Sequence, residues 1–107
     1  MMKLSVYVPE THLESLKDAL FAAGAGSYGQ YDRCCWQTLG TGQFRPLPGN
    51  HAFIGETGTT CKVNEYKLEM ICKDSKVSDV MKALKQAHPY EEPAFSFVKI
   101  DVPDEEK

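Results

Sequence analysis

Apolar and polar residues alternate strictly near the start of the chain, with Leu4, Val6 and Val8 set against Lys3, Ser5 and Tyr7. A period of two predicts a strand with one apolar face, and Pro9 ends it. The period then changes. Leu13, Leu16, Leu20 and Ala23 recur at helical spacing. Thr11 and Glu14 stand three apart, as in a capping box that would open this helix. Gly24 suits the position just past its end, where a residue without Cβ takes positive φ without steric cost. After a glycine-rich link (24–29), YDRCCWQT (31–38) reads as a second strand. Residues 61–73 alternate again, Tyr66, Leu68, Met70 and Cys72 against Glu65, Lys67 and Glu69, as in a strand with one solvated face.

Val77, Val80, Met81, Leu84 and Ala87 return to helical spacing, with Ser75 as the expected N-cap. Pro89 disfavours helical geometry at His88, so this helix ends there. Phe95 to Val102 reads as the last strand. The order is strand, helix, strand, strand, helix, strand. Two such halves pack as an α+β, ferredoxin-like βαββαβ sandwich: a four-stranded antiparallel sheet with both helices on one face. One domain is expected over 1–107, with an ordered core from 3 to 102 and a solvated acidic tail from 103 to 107.

The one stretch without a regular pattern, 40–59, holds five of the eight glycines and two of the six prolines. A loop this long inside a small domain points to function or assembly. It does not read as a phosphate loop. Gly40-Thr41-Gly42 lacks the third glycine of a dinucleotide fingerprint, no Gly-Lys-Ser/Thr follows, and a strand comes next where a helix N-terminus is needed. A hairpin loop with flexible, positive-φ positions accounts for it.

Composition narrows the function classes. The net charge of −3, from 12 basic and 15 acidic residues, comes without any basic cluster. Neither nucleic acid nor an anionic membrane is therefore an expected partner. No apolar run approaches the roughly 18 residues of a membrane span, and the N-terminus turns polar too early for a signal peptide. A cytoplasmic location is expected, with thiols reduced. Cys34, Cys35, Cys61 and Cys72 show neither zinc-knuckle nor Cys-x-x-Cys spacing. Cys34 and Cys35 would point to opposite faces of the second strand. No motif frames either as a nucleophile beside His51 or His88. Glu91 and Glu92, adjacent in an extended segment, diverge too far to work as an acid/base pair. Catalytic residues are not expected.

AHPYEEPAF (87–95) is the least ordinary segment. On local physics it is a corner: an imidazolium at His88 would suit the helix C-terminus, and Pro93 keeps Glu92 extended before the last strand. Its company changes that reading. Gly40-Thr41-Gly42-Gln43-Phe44-Arg45-Pro46, Gly49, Phe53-Ile54-Gly55-Glu56-Thr57-Gly58, Val63-Asn64-Glu65-Tyr66-Lys67-Leu68-Glu69, Ala83-Leu84 and His88-Pro89-Tyr90-Glu91 occur here in one order. In that combination the chain resembles, over essentially its whole length, the domain inserted in bacterial members of the NGG-one-interacting-factor-three-like family.

The resemblance implies a fold similar to nitrogen-regulatory PII proteins and to CutA, and assembly as a trimer. Full-length members carry a two-metal site in flanking lobes that these 107 residues do not include, so no hydrolase or cyclohydrolase role carries over. Where the family often has Arg between the two glutamates of the third strand, this chain has Lys67, which lacks the bidentate fork for an anion.

The expectation is a non-catalytic module that binds a small molecule or protein partner, works as a homo-oligomer (dimer or trimer) and needs no cofactor. Its expected ligand or interface residues are Phe44, Pro46, Gly55, Gly58, Glu65, His88, Tyr90 and Glu91. The glycine-rich loop and the 88–91 corner are expected to meet at one end of the sheet, with Glu65 accepting a hydrogen bond from Tyr90 or His88. One alternative is a divalent-metal protein using His51, Glu65, His88 and Glu91. Another is a purely structural oligomerisation domain, with Tyr7, Phe95 and Phe97 on the sheet face away from the helices.

Overall fold

A computed structural model describes residues 1–103; the acidic tail from residue 104 onward lies outside the described residues. Strand β1 (Met2–Pro9) leads through a tight turn at Glu10–His12 into helix α1 (Leu13–Ala22). Strands β2 (Trp36–Phe44) and β3 (Cys61–Cys72) follow, then a second tight turn at Asp74–Lys76, helix α2 (Val77–Ala87) and strand β4 (Phe95–Lys99). The sheet order is β2-β3-β1-β4 with antiparallel pairing throughout, the ferredoxin-like plan.

The alternation read from the sequence is the alternation observed. Leu4, Val6 and Val8 from β1 and Leu68, Met70 and Cys72 from β3 are buried in one cluster with Leu13, Leu16 and Leu20 of α1 and Val80 and Leu84 of α2. Each fully buried Leu or Val contributes about 1.5–3 kcal/mol of transfer free energy. A cluster of this size outweighs helix caps worth about 1 kcal/mol each, and neither expected N-cap forms. Thr11 Oγ1 bonds the His12 ring at 2.9 Å and Glu14 pairs with Lys17. His12 precedes α1 without a side-chain cap bond. Ser75 sits inside the tight turn, and Lys76 precedes α2, again without one. In both places a short turn docks the helix before a cap is needed. The C-terminus of α1 does follow the sequence. Gly24, at φ +112, donates to the Phe21 carbonyl, and Ala25 donates to that of Leu20 (both 3.1 Å), the paired bonds of a Schellman end.

Three further boundaries shift. Tyr28 and Tyr31 exchange backbone hydrogen bonds, and Arg33 takes φ +55 beside Asp18 and over the Phe21 ring. These contacts fold residues 28–35 into a compact turn, so β2 starts at Trp36, and Cys34 and Cys35 are not strand residues. At its other end β2 runs through Gly40 and Gly42 to Phe44, because β3 offers a long partner down to Cys61. The last strand stops at Lys99, not Val102.

A correction of parity matters for the surface. Phe97 stands opposite Leu4 and Phe95 opposite Val6, so both phenylalanines share the helix-covered face and pack on the core. Tyr7 does lie on the opposite, uncovered face, which it shares with Trp36 of β2 and Val98 of β4; they are 40%, 69% and 55% exposed.

Candidate functional site at the loop and the 88–94 corner

α2 ends where Pro89 dictates. His88 takes φ −77, ψ 135, and its N–H still reaches the Leu84 carbonyl at 2.9 Å. The imidazole is 5% exposed, the one buried polar side chain among the described residues. Its Nε2 lies 2.6 Å from the Tyr7 carbonyl, and its Nδ1 receives the Tyr90 backbone N–H at 3.1 Å. A carbonyl only accepts and an amide N–H only donates, so Nε2 carries the proton and Nδ1 does not. His88 is therefore neutral, and burial holds its pKa below the ordinary histidine value. The imidazolium expected at the helix end is not the state the structure supports.

With Tyr90 so placed, its hydroxyl donates to Glu65 Oε2 at 2.8 Å. Burial first, and then the Glu65 carboxylate, raises the Tyr90 pKa. His88 itself makes no hydrogen bond to Glu65. Gly42 explains how the carboxylate fits: a Cβ on Gly42 would fall on the Glu65 carboxylate. β2 thus carries glycine diagonally across from Glu65, which pairs with Gly40.

The loop from 45 to 60 folds back over this end of the sheet. Asn50 ties it together, giving Nδ2–H bonds to the Leu47 carbonyl and Thr57 Oγ1 (both 2.7 Å), while its Oδ1 accepts from the Ala52 N–H. Gly58, at φ +80, donates to the buried Pro46 carbonyl at 2.7 Å. Gly55, at φ +96, packs behind Phe44 and Pro46, where a Cβ would sit 3.3–3.4 Å from both. Contacts that join the loop to the rest include the His51 N–H, which donates to Glu91 Oε1 at 2.9 Å, and Phe53, which meets the His12 ring edge-on at 5.4 Å and the Tyr90 ring at 6.5 Å.

Loop, corner and sheet enclose an open cleft of about 650 Å³. Of the residues singled out in the sequence, Phe44, Pro46, Glu65, Tyr90 and Glu91 line it. Gly55, Gly58 and His88 lie behind the walls and shape them. The sequence did not single out Gly42, Arg45 or Phe53 as site residues and placed Tyr7 elsewhere, yet all four line the cleft. Among the described residues no three His, Cys, Asp or Glu side chains converge as a metal site would require. The four donors named for that alternative are not gathered: both His88 nitrogens are engaged, and the His51 contact to Glu91 runs through its backbone.

This is the architecture of CutA-like domains. The periplasmic divalent cation tolerance protein CutA of Archaeoglobus fulgidus superposes with a TM-score of 0.69, covering 99% of this chain and 90% of that one. At 16% identity that likeness defines the fold alone. A Bacillus cereus protein related to NIF3 is similar in sequence too, at 39% identity and a TM-score of 0.81 over 94% of this chain. The GTP cyclohydrolase 1 type 2 homologs of Halalkalibacterium halodurans and Bacillus subtilis are 42% and 39% identical over 95 and 107 residues. The chain spans 26% and 29% of their lengths. No protein-family profile matches the chain. The chain is thus homologous to about a quarter of each of those longer proteins, the one related to NIF3 among them.

A group whose folded-state pKa lies below its unfolded value leaves the unfolded chain holding more protons at intermediate pH. The His88 contribution is complete above pH 6.5, the ordinary histidine value, and is lost as pH falls below it. Urea titrations across that window should show stability declining, with the decline reduced in His88→Gln; an unchanged slope would contradict the buried neutral ring. Tyr90→Phe and Glu65→Ala should couple by about 1 kcal/mol in a double-mutant cycle. Gly42→Ala, by displacing the carboxylate, should remove that coupling, whereas strictly additive effects would mean that no bond forms in solution.

Proposed function

We propose that these 107 residues form a non-catalytic ligand-binding module that works as a homo-oligomer, and that the cleft between the 45–60 loop and the 88–94 corner is its binding site. The observation that carries this reading is the cleft itself. Its volume of about 650 Å³ falls in the range of about 300–1,000 Å³ usual for small-molecule sites, and its walls mix aromatic rings with a few converging polar groups. The groups with chemical potential are already engaged. The Tyr90 hydroxyl donates to Glu65, and His88 is spent on two backbone partners. That supports holding a ligand over transforming one. The activity in the relatives' names concerns whole proteins, of which this chain spans about a quarter.

The test is a thermal-shift screen with nucleotides, divalent metals, amines and short peptides. A ligand that binds only the folded state raises apparent stability, by about 2.7 kcal/mol at a hundredfold excess over Kd, or several degrees in a domain of this size. At least one class should stabilise the wild type and fail with Phe53→Ala, a half-exposed ring whose loss spares the core. No stabilising class, or equal stabilisation of the variant, would overturn the reading.

The bare sheet face supports the oligomeric part of the proposal. Trp36, Val98 and Tyr7 are exposed on one surface that no helix covers, spread over β2, β4 and β1, and large apolar side chains left bare on a sheet face suit an interface. Sedimentation should give a mass above that of a 12.0 kDa monomer, reduced by Trp36→Glu. A monomeric wild type at working concentration would exclude assembly through this face.

A further inference from the structure

The charge around the cleft is lopsided. Glu65, Glu91 and Glu92 line it, against Arg45 as its single cationic side chain. Glu91 has one oxygen committed to the His51 N–H. Glu65 has one oxygen on the Tyr90 hydroxyl, and neither of its oxygens pairs with a Lys or Arg among the described residues. Lys67, two residues along β3 on the same face, is directed to Glu69 at 3.6 Å. The neutral His88 ring supplies no counter-charge either.

A half-buried carboxylate without a cation is costly, yet the chain makes room for this one. Gly42 clears the space it occupies, and Tyr90 holds it in place. Above it stand rings. Phe44 and Phe53 flank Tyr90 with centroids 6.1 and 6.5 Å away, and Tyr7 closes the sheet side. Aromatic faces carry negative quadrupole potential and attract cations. A phosphate or carboxylate guest would meet three glutamates. A hydrated metal ion would leave the rings unused and find no convergent donor set.

We infer that the cleft takes an organic cation, an ammonium or guanidinium group on an apolar or aromatic stem, with the charge set on Glu65 and the stem lying between Phe44, Phe53 and Tyr90. The inference rests on the reading of the cleft as a binding site and adds the chemistry of the guest. A free amine and the Lys or Arg side chain of a peptide present the same group.

Amide NMR titrations of the 107-residue chain separate the cases. Benzamidine and a blocked Arg-containing tripeptide are the cationic probes; benzoate and ATP are the anionic ones. The cationic probes should shift the amides of Phe44, Phe53, Glu65 and Tyr90 saturably, and more weakly as salt rises. Glu65→Gln keeps the shape and the acceptor for Tyr90 but removes the charge, and should weaken binding by about tenfold or more. Phe53→Ala, on the exposed loop, provides the same comparison should the Gln variant fold poorly. Tighter binding of the tripeptide than of benzamidine identifies a protein side chain as the guest, and the reverse order a free amine; either ranking supports the inference. Anionic probes shifting those amides in preference to cationic ones would overturn the cation assignment while keeping the site. A cleft silent to all four would remove both.

Discussion

One imidazole serves two backbone groups that the sheet leaves without partners, and the organisation of this end of the molecule depends on it. β1 lies between β3 and β4, but its last ladder pair with β4 is Val6 with Phe95. At the next residue, Tyr7 still donates to the Ala94 carbonyl at 3.1 Å, while its own carbonyl is taken by His88 Nε2. Left buried and unbonded, that carbonyl would cost about 1–3 kcal/mol. The other ring nitrogen then fixes Tyr90 through its N–H. The requirement is narrow: a donor and an acceptor on one rigid ring at the end of a helix that Pro89 has just stopped. A protonated ring would turn its acceptor into a donor facing the Tyr90 N–H, which is why burial and hydrogen bonding favour the same neutral form.

From Tyr90 the order propagates outward. Its hydroxyl fixes Glu65, its ring meets Phe44 and Phe53, and Phe53 in turn meets His12 at the start of α1. Gly42 is the local cost of this arrangement, since glycine in a strand is about 0.5–1 kcal/mol less favourable than alanine. Departures from local preference that a fold tolerates tend to concentrate at functional sites. Here a glycine in β2 and a carboxylate in β3 that has a hydroxyl but no Lys or Arg partner among the described residues are two halves of one departure. A Cβ at position 42 would take the space in which the carboxylate now lies.

What the sequence revealed and what it hid follow from range. β1, β3 and the ends of both helices were legible because two-residue and helical periods, Gly24 and Pro89 act locally. The helix starts were misread because Thr11 and Ser75 are residues of cap type whose role was decided by how a short turn docks on the core. The faces of Phe95 and Phe97 were misread because alternation says which residues share a face, not which face it is; only the pairing of Phe97 with Leu4 and Phe95 with Val6 settles that. The start of β2 was hidden by the Tyr28–Tyr31 turn, and its end by glycines that look like a loop until β3 lies beside them. For the site, His88, Tyr90 and Glu65 were visible as a set through family resemblance. Gly42, Phe53 and Tyr7 needed the third dimension, because each matters through a partner at least 23 residues away in the chain.

Tyr7 connects the two surfaces proposed for binding and assembly. It stands on the uncovered sheet face with Trp36 and Val98, and it also lines the cleft. Its carbonyl is the group that His88 holds. A second copy seated on that face would therefore bear on the wall of the cleft, and a guest in the cleft would bear on a residue of the interface. Were a second copy and a guest each to alter the packing of Tyr7, their binding would be linked reciprocally: whatever assembly did to guest affinity, the guest would do equally to assembly. On the proposed reading, Tyr7 is thus the residue at which occupancy of the cleft and association through the bare face would report on each other.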